Sequence, residues 1–130
     1  MRNFTSFDYS KFPIIVLTIS DIEPTLEEFG KYLNEMENMY KTYDQFVLVF
    51  DATKSKYASG EVRALQSKWI KDNHTKIKER CKGMVYVLPN VMIEMVFKCI
   101  VAFSPLPVPY STVRNMESAL LNADKFLVKV

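Results

Sequence analysis

The sequence predicts an α/β domain built on a mixed, mostly parallel sheet of four to five strands, flanked by about four helices. Three observations lead there. Runs rich in aromatic and β-branched residues alternate along the chain with segments of helical period. Two of those runs, around Phe46–Phe50 and after Gly83, are continuously apolar, as strands covered on both faces are. Finally, 130 residues of which 48% are hydrophobic and 25% charged suffice for one domain with its own core, spanning residues 1–130, without disulfides or metal.

The first two strands are "NFTSFDYS" and "PIIVLTIS", separated by Lys11 and Phe12, with Pro13 opening the second. Their composition and short connection predict an antiparallel pair. Pro24 fits the first turn of a helix. Beyond it Leu26, Phe29, Leu33, Met36, Tyr40 and Tyr43 recur at three- and four-residue steps, one amphipathic face. "FVLVF" then reads as the central strand. A second helix is expected from about Ala58 to Arg80, with Val62, Leu65, Trp69, Ile70 and Ile77 inward and Lys68, Lys71 and Lys78 outward. "KGMVYVLP" is an interior strand that starts at Gly83 and is stopped by Pro89. After the apolar segment "VMIEMVFKCIVAF", three prolines in "SPLPVPYSTVR" force an extended run before a short strand. Asn115 is placed to cap a last helix whose Met116, Ala119, Leu120, Ala123 and Leu127 share a face. No repeat, low-complexity tract or linker divides the chain.

The apolar segment Val91–Phe103 resembles a membrane anchor until its length is counted. As a helix it measures about 20 Å, against a hydrocarbon core of about 30 Å. No transmembrane segment is expected. Glu94 and Lys98 stand four apart, acid first, the favourable order for a helical ion pair, so one narrow side is wet. The expected place for the rest is between the sheet and neighbouring elements. The sharper alternative is that Met92, Met95, Val96, Phe97, Ile100 and Phe103 face a hydrophobic ligand, a membrane surface or a second subunit.

Seventeen basic against fifteen acidic side chains leave a formal charge of +2, too little to imply nucleic acid. The charge is unevenly spread: residues 20–51 are mostly acidic, residues 58–82 mostly basic. A solvated helix face accounts for the basic run, or it meets an acidic partner or anionic lipid. No aromatic residue interleaves the lysines on that face, which argues against single-stranded nucleic acid. Cys81 and Cys99 have no metal-binding or disulfide-framework spacing and are expected reduced and buried. The polar start "MRNFTSFDYSKF" does not read as a signal peptide, so a cytoplasmic protein is expected.

The residues offer little catalytic chemistry. His74 is the sole histidine, expected half-buried at the edge of an apolar stripe, which leaves no common Ser–His or Cys–His nucleophile pair unless it serves alone. No glycine-rich phosphate loop is present, and no cofactor or metal is expected. Asp51, at the end of the central strand, could bind Mg²⁺ or orient a ligand. Asp44, the carboxylate that would have to assist, lies at the strand's other end, so Asp51 is expected to end the strand by accepting loop N–H bonds. Ser55 and Gly60, with Asp51, complete the candidate loop site.

Several features in order carry a resemblance. They are "FVLVFDAT", then Trp69 on a basic helix ending in Cys81-Lys82-Gly83, the following strand, the apolar helix, the Pro105-Leu106-Pro107 segment, and a closing helix with Ala119. Together these resemble the SpoIIAA-like family of small bacterial proteins in the STAS superfamily, also described as STAS/SEC14-like. The resemblance covers most of the chain. It implies a sheet of four or five strands with helices packed on it, and no established catalytic reaction, so the protein is expected not to be an enzyme. In anti-sigma-factor antagonists of this superfamily a phosphorylated serine precedes a glycine at the start of the helix after the central strand. Ser59-Gly60 holds a similar place, although Tyr57-Ala58 stands where antagonists carry an acidic residue and a second serine. A phosphate there would bring about −1.5 to −2 charges to the positive end of a helix. The plainer role for Ser59 is helix capping.

Two function classes follow. One is a STAS-type binding or regulatory module that docks an unknown protein partner and is switched at Ser59. The other, implied by the SEC14-like resemblance, is a carrier or sensor of a small hydrophobic molecule on residues 91–103. A homodimer would cover the same apolar surface. An enzyme with an unrecognised site is a third class.

Overall fold

The computed structural model describes residues 3–55 and 59–128. Its strands are β1 (Thr5–Asp8), β2 (Ile14–Ile19), β3 (Phe46–Asp51), β4 (Cys81–Val87) and β5 (Tyr110–Val113). They lie in one sheet in sequence order. β1 and β2 are antiparallel, and every later pair is parallel. The helices are α1 (Leu26–Thr42), α2 (Gly60–Asp72), α3 (His74–Arg80), α4 (Val91–Phe103) and α5 (Met116–Val128).

This order dictates which face each helix occupies. Parallel crossovers are right-handed, so a sheet that always adds its next strand on the same side receives every crossover helix on the same face. α1, the α2–α3 pair and α4 accordingly share one face, and α5, which follows the last strand, covers the other. Strand alternation matches: Leu48, Phe50, Met84 and Tyr86 point to the crossover side, with Phe29, Tyr32, Met36, Tyr40, Val62 and Ile77 above them. Val47, Val49, Val85 and Val87 point the other way, onto Ala119 and Ala123.

The strands fall where the composition placed them, with two adjustments. β1 and β2 pair from Thr5↔Ile19 to Asp8↔Val16, a shorter ladder than the two runs allow. β4 begins at Cys81 rather than Gly83, because an irregularity at Phe46/Val47 lets Cys81 pair with Phe46 and Gly83 with Val47. Burial pushes the Cys81 thiol up to about 11, so it packs as a neutral, apolar group.

The helices differ more. Pro24 precedes α1 instead of forming its first turn. Thr25 is the N-cap, accepting from the Glu28 N–H at 3.1 Å, while the Glu28 carboxylate accepts from the Thr25 N–H at 2.9 Å. The single helix expected to start near Ala58, which lies outside the described residues, is two. Asn73 interrupts it: its side-chain amide donates to the Trp69 carbonyl at 2.8 Å, and its backbone leaves the helical region at φ −111° and ψ 18°. Among the described residues the helices therefore number five. Asn115 caps α5 as expected, accepting from the Ser118 N–H at 2.8 Å. His74 opens α3 and is exposed, not half-buried, because the break at Asn73 takes it off the stripe.

The largest departure is α4. Its boundaries are those the sequence marks, yet none of its residues is buried. α4 does not take the covered position expected for it: among the described residues β5 is both the edge strand and the last, and no further helix stands outside α4. Cys99, on its outer side, is exposed rather than buried. Among the described residues no helix is long and apolar enough to cross a membrane.

Candidate functional site

α4 is seated by two side chains near its middle. Phe97 rests on Tyr86 of β4, with ring centroids 4.3 Å apart, and meets Tyr110 of β5 edge-on at 5.6 Å. Tyr86 in turn stacks on Phe50 at 4.6 Å, so an aromatic ladder runs from the central strand to the edge helix. Glu94 is the polar tie. Its carboxylate accepts from the Thr112 hydroxyl and from the Arg114 guanidinium at 2.7 Å, and pairs with Lys98 at 3.6 Å. The Thr112 and Arg114 hydrogen bonds hold this carboxyl down at about 2. The expected Glu94–Lys98 pair is therefore present, but its stronger partners come from β5 and the residue after it.

Everything else on α4 stands off the sheet. Met92, Met95, Val96, Ile100 and Phe103 are all exposed, Phe103 at 91%. Of the six apolar residues singled out from sequence, only Phe97 turns inward.

A groove lies between α4 and the start of α2. It consists of two adjoining hollows of about 390 and 310 Å³ that share Arg63, Ile100 and Phe103. Met95, Val96 and Cys99 line one hollow; Gly60, Ala64 and Ser67 line the other. Both open to solvent. A carrier site would enclose most of its ligand's surface, and this groove does not.

Ser59, next to the groove-lining Gly60, is the N-cap of α2, its Oγ accepting from the Val62 N–H at 3.2 Å. The capping role is thus realised, and the hydroxyl lies at the positive end of a 13-residue helix. Gly60 is exposed and lines the groove; nothing lies within 4 Å of where a Cβ would stand on it. Asp51 is turned away from this chemistry. Its carboxylate accepts from the Thr53 hydroxyl at 2.7 Å and N–H at 3.2 Å, ending β3 as expected. The Ser55 N–H donates to the Ala52 carbonyl at 3.1 Å in the same turn. Residues 56–58 connect that turn to Ser59 and lie outside the described residues. The structure thus brings Gly60, the residue after Ser59, to the end of α4 and leaves Asp51 and Ser55 at the strand end.

Three participants have no sequence signal of their own. Thr112 and Arg114 reach Glu94 across 18 and 20 residues. Arg63 lies one turn beyond Ser59, so helical spacing could have placed it near the cap, but not against α4. Among the described residues no cluster of three or more His, Cys, Asp or Glu side chains could hold a metal ion.

No family model and no curated protein matches the sequence. Solved structures do match. An uncharacterized protein of the DUF3478 family with a SpoIIAA-like fold, from Shewanella loihica PV-4, aligns over 92% of this chain and 91% of its own, with a TM-score of 0.66 at 12% identity. An anti-sigma factor antagonist from Mycobacterium paratuberculosis aligns over 92% of both chains, with a TM-score of 0.58 at 14% identity. At these identities the likeness is one of fold, and it agrees with the sheet order and the crossover helices derived above. The chain has a SpoIIAA-like α/β fold.

Proposed function

We propose that the protein is a non-enzymatic, cytoplasmic regulatory module of STAS type that docks a protein partner at the start of α2, with phosphate on Ser59 as the switch. One observation carries this reading. Ser59 caps α2 and immediately precedes Gly60, which lines an open groove together with Arg63 and Ala64 of α2 and Ile100 of α4. A phosphate placed there adds about two negative charges within reach of the α2 N-terminal N–H groups, which already polarise the Ser59 hydroxyl. It would change both the charge and the shape of the groove's end without disturbing the core. The fold shared with a protein named as an antagonist of an anti-sigma factor supports a partner-docking role.

The test is phosphopeptide mapping of the protein from its own host, combined with a comparison of Ser59→Asp and Ser59→Ala. Aspartate caps helices as well as serine does, so Ser59→Asp keeps the fold and adds charge. Phosphate on Ser59, and a partner retained by Ser59→Ala but released by Ser59→Asp or the reverse, is the expected result. An unmodified Ser59 across growth conditions, with both variants retaining the same proteins, would end the switch reading.

A further inference from the structure

The outer side of α4 begins at the groove, whose α4 wall includes Met95, Val96, Cys99 and Phe103, and runs on to Met92 beyond it; the docking reading at the start of α2 leaves this side unaccounted for. Its central residues are Met92, Met95, Val96, Cys99 and Phe103, which recur at three- and four-residue steps along the side of the helix opposite Glu94 and Phe97. Such spacing makes a continuous seam when two helices pack side by side. Met92, Met95 and Phe103 are 75%, 63% and 91% exposed.

Seven large apolar side chains of α4 are exposed in all. Large side chains carry about 150–250 Å² each, so at their exposures the seven leave on the order of 700 Å² open. Monomers rarely show a patch larger than about 300–600 Å². A standard interface takes about 800 Å² from each partner.

The charge pattern selects the occupant. α4 carries two charged residues, and neither belongs to the seam: Glu94 is turned inward to Thr112 and Arg114, and Lys98 is paired with Glu94 at the flank. A charged partner would find no counter-ion on the seam. A second α4, equally uncharged and equally apolar, meets it without repulsion and without an unpaired buried charge. We infer that two copies of this chain associate through the outer seam of α4, helix against helix about a two-fold axis, as an isologous dimer. The inference goes beyond the docking reading and does not depend on it. Met95, Val96, Cys99 and Phe103 belong to both the seam and the groove, whereas Met92 belongs to the seam alone.

Sedimentation velocity on the full chain tests it. The wild type is expected at twice the 15.1 kDa chain mass at micromolar concentration, falling toward one chain mass on dilution. Met92→Asp, at a solvent-exposed position that leaves the fold intact, is expected at one chain mass. Leu121→Asp, on the exposed side of α5, is expected to remain double. A short bismaleimide is expected to join two copies through Cys99, which is exposed while Cys81 is buried, and to fail with Cys99→Ser. A wild type at one chain mass at every concentration overturns the inference, and so does a double mass that Met92→Asp leaves unchanged or a dimer that Cys99 cannot join. A single chain that instead co-sediments with phosphatidylserine-containing vesicles also overturns it and assigns the seam to a membrane surface.

Discussion

α4 and α5 are each 13 residues long, and each packs on one face of the same sheet, yet they are held in opposite ways. α5 brings Ala119 and Ala123 down onto Val47, Val49, Val85 and Val87, and both alanines are fully buried. Small residues let the helix axis come close, and the sheet accommodates it: a Cβ on Gly83 would stand 2.6 Å from the Phe126 ring. α4 is the more apolar helix in sequence and buries none of its residues. It rests on one phenylalanine and one carboxylate. Apolar content thus measures what a helix would gain from cover, whereas position in the sheet decides whether cover exists. α5 crosses the middle of its face. α4 joins β4 to the edge strand and has a neighbour on one side only.

Substitutions that reverse these roles should differ in size. The largest effect is expected at the close contact of α5. Ala119→Leu forces extra methylenes into a site with no free volume and should cost about 3 kcal/mol in denaturant unfolding, with Gly83→Ala acting the same way more weakly. If Ala119→Leu is tolerated, the contrast between the helices fails. Phe97→Ala comes next. It removes two ring contacts from a half-buried residue and should cost about 2 kcal/mol, while amide exchange in α4 rises far more than in α5.

Acid sharpens the comparison further. The folded Glu94 carboxyl titrates near 2, below its ordinary 4.5, so its tie to Thr112 and Arg114 is complete above 4.5 and is lost as pH falls through 2. Amide protection of α4 should fall over that window while α5 is unaffected, and Glu94→Gln should flatten the change. The smallest effect is expected on the outer seam. Met92→Gln should shift the unfolding free energy of the isolated chain by no more than about 0.5 kcal/mol.

How far the sequence reveals this molecule depends on the range of the interaction involved. Local signals survive intact. The apolar run Phe46–Phe50 is a central strand, Val91–Phe103 is a helix at the expected bounds, and Ser59 and Asn115 are caps, because each depends on residues within one turn. Long-range outcomes do not survive. The exposure of α4 and of Cys99 follows from the strand order, which no window of sequence contains. The Glu94–Arg114 pair joins two elements, as does the approach of Arg63 to Ile100, and α2 is separate from α3. That separation hangs on one Asn73 side chain competing for the Trp69 carbonyl, a choice that helical periodicity does not report. Of the candidate site, the individual residues were legible and their meeting was not.

The account's central claim is that another protein docks where α2 begins. Position 60 tests it directly, since Gly60 is exposed and has open space around it, so a photo-crosslinking side chain fits there without disturbing the fold. The same side chain at Leu121, exposed on α5, reports on a surface with no assigned role. Irradiated in the native host, the chain labelled at position 60 should join a specific protein other than itself, in a yield that changes with Ser59→Asp, while the chain labelled at position 121 should not. Adducts at position 60 only to other copies of the chain, or the same proteins in equal yield from position 121, would contradict it.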